Sequence, residues 1–208
     1  MIKTLLLIFD PMATWEGIFL SRRSTGFILV SYLLPLLLIS SVGEGFGLVH
    51  WGKWQGEVGR PKQFSDQEAL VFEVAQILVS LLVVFVVALF LKSIGGTFHG
   101  RHSYSQAFTT LAYSLSPLFL FRLLNAFAWV NPWVSWSIGI ILTVVVLYHG
   151  VPRMMEPDPA DAFGLYLISA LLVLLVSGLM QFMSAACMLG KLPKLQAIVS
   201  DIAARLPF

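Results

Sequence analysis

Imidazole and carboxylate side chains are the usual ligands of transition metals, and near neutral pH the usual carriers of protons. His99, His102 and His149 offer the first group; Glu156, Asp158 and Asp161, with Asp10 and Glu16, offer the second. Their spacing matches no fixed ligand set. His99 and His102 lie in a glycine-rich stretch, where such a pair reads more simply as hydrated loop side chains, so no metal and no cofactor is assigned to this polar cluster. Other chemistries fare no better. Cys187 is the one cysteine, lies in an apolar run and has no disulfide partner within the chain. No serine or cysteine is paired with a base, and no His-Glu-x-x-His pattern occurs, so the chain is read as not an enzyme. Gly95-Gly96 matches neither a phosphate-binding loop nor a dinucleotide fingerprint. Glu73 reads as a carboxylate in the early turns of a helix, favoured there by the helix dipole, with a buried functional acid as the sharper alternative.

The chain that carries these residues is 58% hydrophobic and 12% charged over 208 residues, with mean hydropathy +0.85. That composition belongs to a polytopic membrane protein. A net charge of +2, scattered along the chain, excludes nucleic acid as a partner. The opening apolar run, Leu5 to Phe9, is interrupted by Asp10 and Pro11 and is not followed by a small-residue cleavage pattern, so it is expected to be retained.

About 20 apolar residues cross a bilayer's hydrocarbon core. Five intervals are long enough. The first lies between Arg23 and Glu44 and contains Pro35, which would free the carbonyl of Ser31. Ser65-Asp66-Gln67-Glu68 is a capping box that starts the second helix, which crosses from about Val74 to Leu91. The third runs from about Ser103 to Phe121, where Pro117 frees the carbonyl of Tyr113 and Ser114 or Ser116 can meet it. Arg122 beyond it reads as a snorkelling side chain. The fourth, Trp133 to Pro152, is the clearest of all, and the short turn at Asn131-Pro132 makes it the antiparallel neighbour of the third. The fifth fills the uncharged interval from Asp161 to Lys191. Residues 44–64 form the longest polar connection, with Trp51 and Trp54 as interfacial anchors.

The fold expected is therefore an all-α polytopic bundle of five transmembrane helices with short amphipathic helices at both ends. Residues 1–24 form an N-terminal interfacial segment, 25–190 the transmembrane domain and 191–208 an amphipathic C-terminal helix. Trp15 and Phe19, with Arg22 and Arg23 at the helix end, suit the headgroup region. Leu195, Ile198, Ile202 and Leu206 make an apolar stripe near the helical period. Both sets are candidate docking residues. Five crossings place His99, His102, His149, Glu156 and Asp161 on the N-terminal side of the membrane and His50 on the far side. Basic residues do not choose an orientation. Lys3, Arg22, Arg23, Lys92, Arg101 and Arg153 lie on one side, against Lys53, Arg60, Lys62, Arg122, Lys191, Lys194 and Arg205 on the other. Ion-coupled transport would place ionisable groups near the midplane. Here they cluster at span ends, Gln181 and Tyr113 being the polar exceptions, explained by interhelical hydrogen bonds.

Several segments together resemble the Yip1 domain family. They are Phe9-Asp10-Pro11 followed by Trp15 and Ile18, the Gly95-Gly96 turn, Ala112-Tyr113-Ser114-Leu115-Ser116-Pro117, and Leu147-Tyr148-His149-Gly150-Val151-Pro152 followed by Met155 and Asp161-Ala162-Phe163. The matching motif positions are Tyr113, Pro117, Tyr148, Gly150 and Pro152, and the role expected of them is architectural. The resemblance implies five spans, a cytoplasmic N-terminus and an extracytoplasmic C-terminus. Eukaryotic relatives act in vesicle trafficking with Rab-type GTPases; the chain looks more like the compact prokaryotic members, which implies a bacterial inner membrane. The function expected is a lipid- or protein-partner scaffold, an accessory subunit of a larger membrane assembly. Its partners would be membrane lipids and other integral membrane proteins or further copies of itself. The alternative is a small-solute or lipid conduit, lined by Ser31, Tyr113, Ser116 or Gln181.

Overall fold

The computed structural model describes residues 2–55, 61–98 and 103–205. His99, His102 and Leu206 lie outside the described residues. The rest is helical, with an isolated antiparallel bridge between Lys53 and Lys62. Five helices are long and apolar enough to cross a membrane: Thr25–His50, Asp66–Thr97, Tyr104–Ala126, Pro132–Met155 and Ala162–Met188. Two short helices, Ile2–Phe9 and Pro11–Ser21, precede them, and Pro193–Ala204 follows. Each start has a local cause. Asp10 caps Ala13 N–H ahead of Pro11, Ser65 and Glu68 close a capping box, Ser103 and Gln106 close another, and Asn131 caps Trp133 ahead of Pro132.

The third span is the axis of the bundle. It is the least apolar crossing, with hydropathy 1.4, yet 78% of its most apolar window is buried, against 22–44% for the others. A helix enclosed by other helices need not match lipid, so its threonines and serines are tolerated once each finds a partner. The fourth span, with hydropathy 1.9, packs beside this axis.

The prolines bend the spans in two different ways. Ahead of Pro35 the first span widens into a π-helical turn, Leu29–Leu33, with Leu34 N–H donating to the Leu29 carbonyl. Ser31 Oγ donates to the Phe27 carbonyl at 2.5 Å. In the third span Pro117 breaks the helix at Leu115, and Ser116 Oγ donates to the Tyr113 carbonyl at 2.6 Å, the partner expected of it. Past the break the chain tightens into a 3₁₀ segment, Arg122–Ala126.

Two boundaries differ from those read in the sequence. The first span does not stop at Glu44 but continues to His50. Its Gly43 and Gly47 make a helix face thin enough for the third span to press against, a Cβ at Gly47 falling into the backbone of Ala126, while Gly45 on the other side lies against Glu73 of the second span. The fourth helix likewise runs through Pro152 to Met155 and ends at Glu156 in the left-handed region (φ 44°).

Candidate functional site

At the far end of the bundle three spans meet around one guanidinium. Arg122 donates through Nε and Nη2 to Glu44 Oε2 at 2.9 and 2.7 Å, and through Nη2 to Glu73 Oε2 at 2.9 Å. Asn125 Nδ2 donates to the other oxygen of Glu44 at 3.0 Å. In a 3₁₀ helix residues i and i+3 eclipse, so the Pro117 break is what turns Arg122 and Asn125 together towards Glu44. Glu44 is completely buried, Glu73 is 6% exposed and Arg122 8%. Arg122 therefore does not snorkel, and Glu73 is a buried acid paired with Arg122 rather than a carboxylate favoured by the helix dipole alone. Removing one partner of such a group strands a buried charge, which costs about 3–5 kcal/mol.

Lys53, in the loop between the first and second spans, closes this end. Its ammonium donates to the carbonyls of Asn125, Phe127 and Val130 at 2.7, 2.8 and 2.9 Å. The Phe127 carbonyl also accepts from Val130 N–H at 3.2 Å, and the ammonium adds a charged donor to the carbonyls at the end of the 3₁₀ segment and in the turn after it. Burial pushes the Lys53 ammonium down to about 8, partly offset by the charge of Glu44. A small cavity of about 30 Å³ adjoins the cluster, lined by Gln76, Arg122, Asn125, Ser135, Trp136 and Gln181 among others. Nη1 of Arg122, Oδ1 of Asn125, Oγ of Ser135 and Nε1 of Trp136 have no hydrogen-bond partner among the described residues. Polar lining and that volume suit a buried water.

The N-terminal end is built differently. Trp15 is buried, and its Nε1 donates to the Val146 carbonyl at 3.1 Å. Its ring lies where a Cβ on Gly150 would stand, which is the physical reason for a glycine at that motif position. The indole meets Tyr113 edge-on at 6.2 Å, Tyr113 packs on Tyr32 at 4.2 Å, and Tyr32 shares a 2.9 Å hydrogen bond with Thr4. Arg153 pairs with Glu16 at 2.5 Å and lies over the Phe19 ring. Trp15 therefore fastens the N-terminal helices to the bundle and is not displayed to a partner.

Beside this aromatic knot opens a cavity of about 400 Å³ between Pro11–Ser21 and the starts of the first and third spans, lined in part by Arg22, Arg23, Ser105, Thr109, Tyr113 and Glu156. Arg22 takes the left-handed conformation (φ 41°), and Arg23 stacks over Phe27 at 4.2 Å. Both are exposed, and neither has an ion-pair partner among the described residues. Lys3 reaches within 5.7 Å of the Tyr113 ring. Burial, and then the charge of Arg23, hold its ammonium below the ordinary lysine range.

The remaining expected residues are dispersed. Tyr148 is exposed and meets Tyr166 edge-on at 5.1 Å. It and His149 line an outward recess with Pro152 and Phe163, whereas Glu156 lines the cavity beside the arginines. Asp161 stands at the start of the fifth span. Among the described residues no three histidine, cysteine or acidic side chains come together as a metal site. Of the residues named for a conduit, Ser31 is exposed on a span face, Ser116 is buried against Tyr113, and Gln181 Nε2 donates to the Pro132 carbonyl at 2.8 Å. They do not line one cavity.

The C-terminal helix lies against the start of the second span. Ser200 Oγ donates to Glu68 at 2.6 Å, Gln196 Nε2 to the Cys187 carbonyl at 2.7 Å, and Leu195 packs on a cluster with Phe72 and Met188. Ile198 and Ile202 remain 54% and 46% exposed.

A family model described as Yip1 domain matches residues 5–182. No curated protein and no solved structure matches the chain.

Proposed function

The chain belongs to the Yip1 domain family, and from that premise we propose that it is a non-enzymatic membrane scaffold which holds lipids or protein partners, as an accessory subunit of a larger assembly. The setting proposed is a bacterial inner membrane, with the N-terminus cytoplasmic and the C-terminus extracytoplasmic. The observation that carries this reading is the C-terminal helix. It is tied down along one side by Ser200 and Gln196, yet Ile198 and Ile202, one helical turn apart, stay uncovered. Of its docking residues, then, Leu195 serves the fold, and Ile198 with Ile202 would serve a partner.

The dispersal of Ser31, Tyr113, Ser116 and Gln181 weighs against the conduit reading, because a permeating solute needs one continuous polar path. So does the far-end cluster, whose charges are spent on one another. A photo-crosslinking residue at position 198 or 202, in native membranes, tests the scaffold. One discrete protein adduct, either a second copy or a single other membrane protein, is expected at both positions and not at Val30, on an exposed face of the first span. Lipid adducts alone at all three positions would contradict protein docking on this helix.

A further inference from the structure

The cavity at the N-terminal end presents cations without counter-charges. Arg22 and Arg23 line it, Lys3 approaches through the Tyr113 ring, and Glu156 is the one carboxylate among its lining residues. The far end spends its arginine and lysine on buried partners; here no carboxylate lies within ion-pair distance of either arginine among the described residues. The start of the third span adds to the positive potential, since its cap Ser103 lines the cavity. Hydroxyls of Ser105 and Thr109 stand on its polar wall, and Ile18, Phe19, Ile28 and Met154 make the other wall apolar. About 400 Å³ is ample for a phosphodiester with its glycerol.

We propose that this cavity binds the phosphate headgroup of an anionic phospholipid, with Arg22 and Arg23 on the phosphate and the glycerol and first acyl carbons against Ile18, Phe19, Ile28 and Met154. Phosphate chemistry alone would also suit a free anion. The lipid is the source because the cavity opens at the level of the span caps, which marks the headgroup layer, and because Ile18, Phe19, Ile28 and Met154 make part of its wall apolar. The site deepens the reading of the chain as a lipid-holding scaffold and rests on it, but it uses a different surface from Ile198 and Ile202.

The test is native mass spectrometry of the detergent-purified full chain with added phosphatidylglycerol, phosphatidylcholine or inorganic phosphate. Phosphatidylglycerol adducts are expected to exceed phosphatidylcholine adducts, and Arg22→Gly with Arg23→Gln should remove that preference, at about fivefold per arginine. Glycine suits the left-handed backbone at position 22, so the charge goes without strain on the fold. Arg22→Lys with Arg23→Lys should keep much of the preference, and Lys194→Gln, at the far end, should leave it intact. Equal retention of the two lipids, or a preference that survives the double variant, would overturn the site. Displacement of phosphatidylglycerol by inorganic phosphate would overturn the lipid as its ligand in favour of a free anion. Loss of crosslinking at positions 198 and 202 with this preference intact would remove the partner-docking reading and leave the lipid site standing.

Discussion

The two ends of the bundle treat positive charge in opposite ways. At the far end Arg122 is buried between Glu44 and Glu73, and Lys53 is spent on three carbonyls. At the N-terminal end Arg22 and Arg23 are exposed beside an open cavity, with no carboxylate within ion-pair distance among the described residues. A buried charge must have its partner inside the protein, whereas a charge at the headgroup layer can take one from the membrane. The first arrangement is architecture, and the second is a binding surface.

The comparison breaks first, and by the largest margin, at the arginines. Arg122→Gln should lower unfolding free energy by about 3–5 kcal/mol, since it leaves both carboxylates buried without a cation. Replacing Arg122, Glu44 and Glu73 together by leucine or methionine should recover most of that loss, measured by denaturant unfolding in the same detergent. Close packing comes next. Gly47→Ala drives a Cβ into the backbone of Ala126 and Gly150→Ala drives one into the Trp15 ring, whereas Gly17 has open space around it. The first two should cost about 1–3 kcal/mol, and Gly17→Ala nothing or a small gain, by thermal unfolding.

Lys53 gives a pH signature. Its folded-state value, about 8, lies below the 10.5 of an unperturbed lysine. Between those values the unfolded chain binds a proton that the folded chain has released, so stability rises with pH across the window, by up to about 2 kcal/mol after allowance for partial solvent screening. Unfolding at pH 8 and pH 10 should show this rise in the native chain and its absence in Lys53→Met. The smallest effect is local to the bend: Ser116→Ala leaves the Tyr113 carbonyl without its hydroxyl donor and should cost about 1 kcal/mol.

Much of this architecture is legible in sequence, because span length, capping residues and proline position act locally. Ser65 with Glu68, Asn131 with Pro132 and Ser116 beside Pro117 each identify their own role. The far-end cluster was harder to read because it is assembled from three helices. Glu44 is flanked by glycines, which suggest a turn when the backbone is considered alone; the structure uses those glycines for helix contact, and the helix continues. Glu73 and Arg122 each looked like a residue near a span end. The signal lay in the topology: the end of the first span, the start of the second and the end of the third share one side of the membrane, and there the acids Glu44 and Glu73 come within reach of the cation Arg122. Trp15 misled for a related reason. Tryptophan suits both an interface and a core, and Gly150, which makes room for it, is 135 residues away.

The most direct test of the contrast between the two ends is the unfolding free energy of Arg122→Gln beside that of Arg22→Gly with Arg23→Gln, in the same detergent and at the same pH. A loss of about 3 kcal/mol or more for the first, with the second within about 0.5 kcal/mol of the native chain, is the predicted outcome. Equal losses, or a stable Arg122→Gln protein, would contradict it.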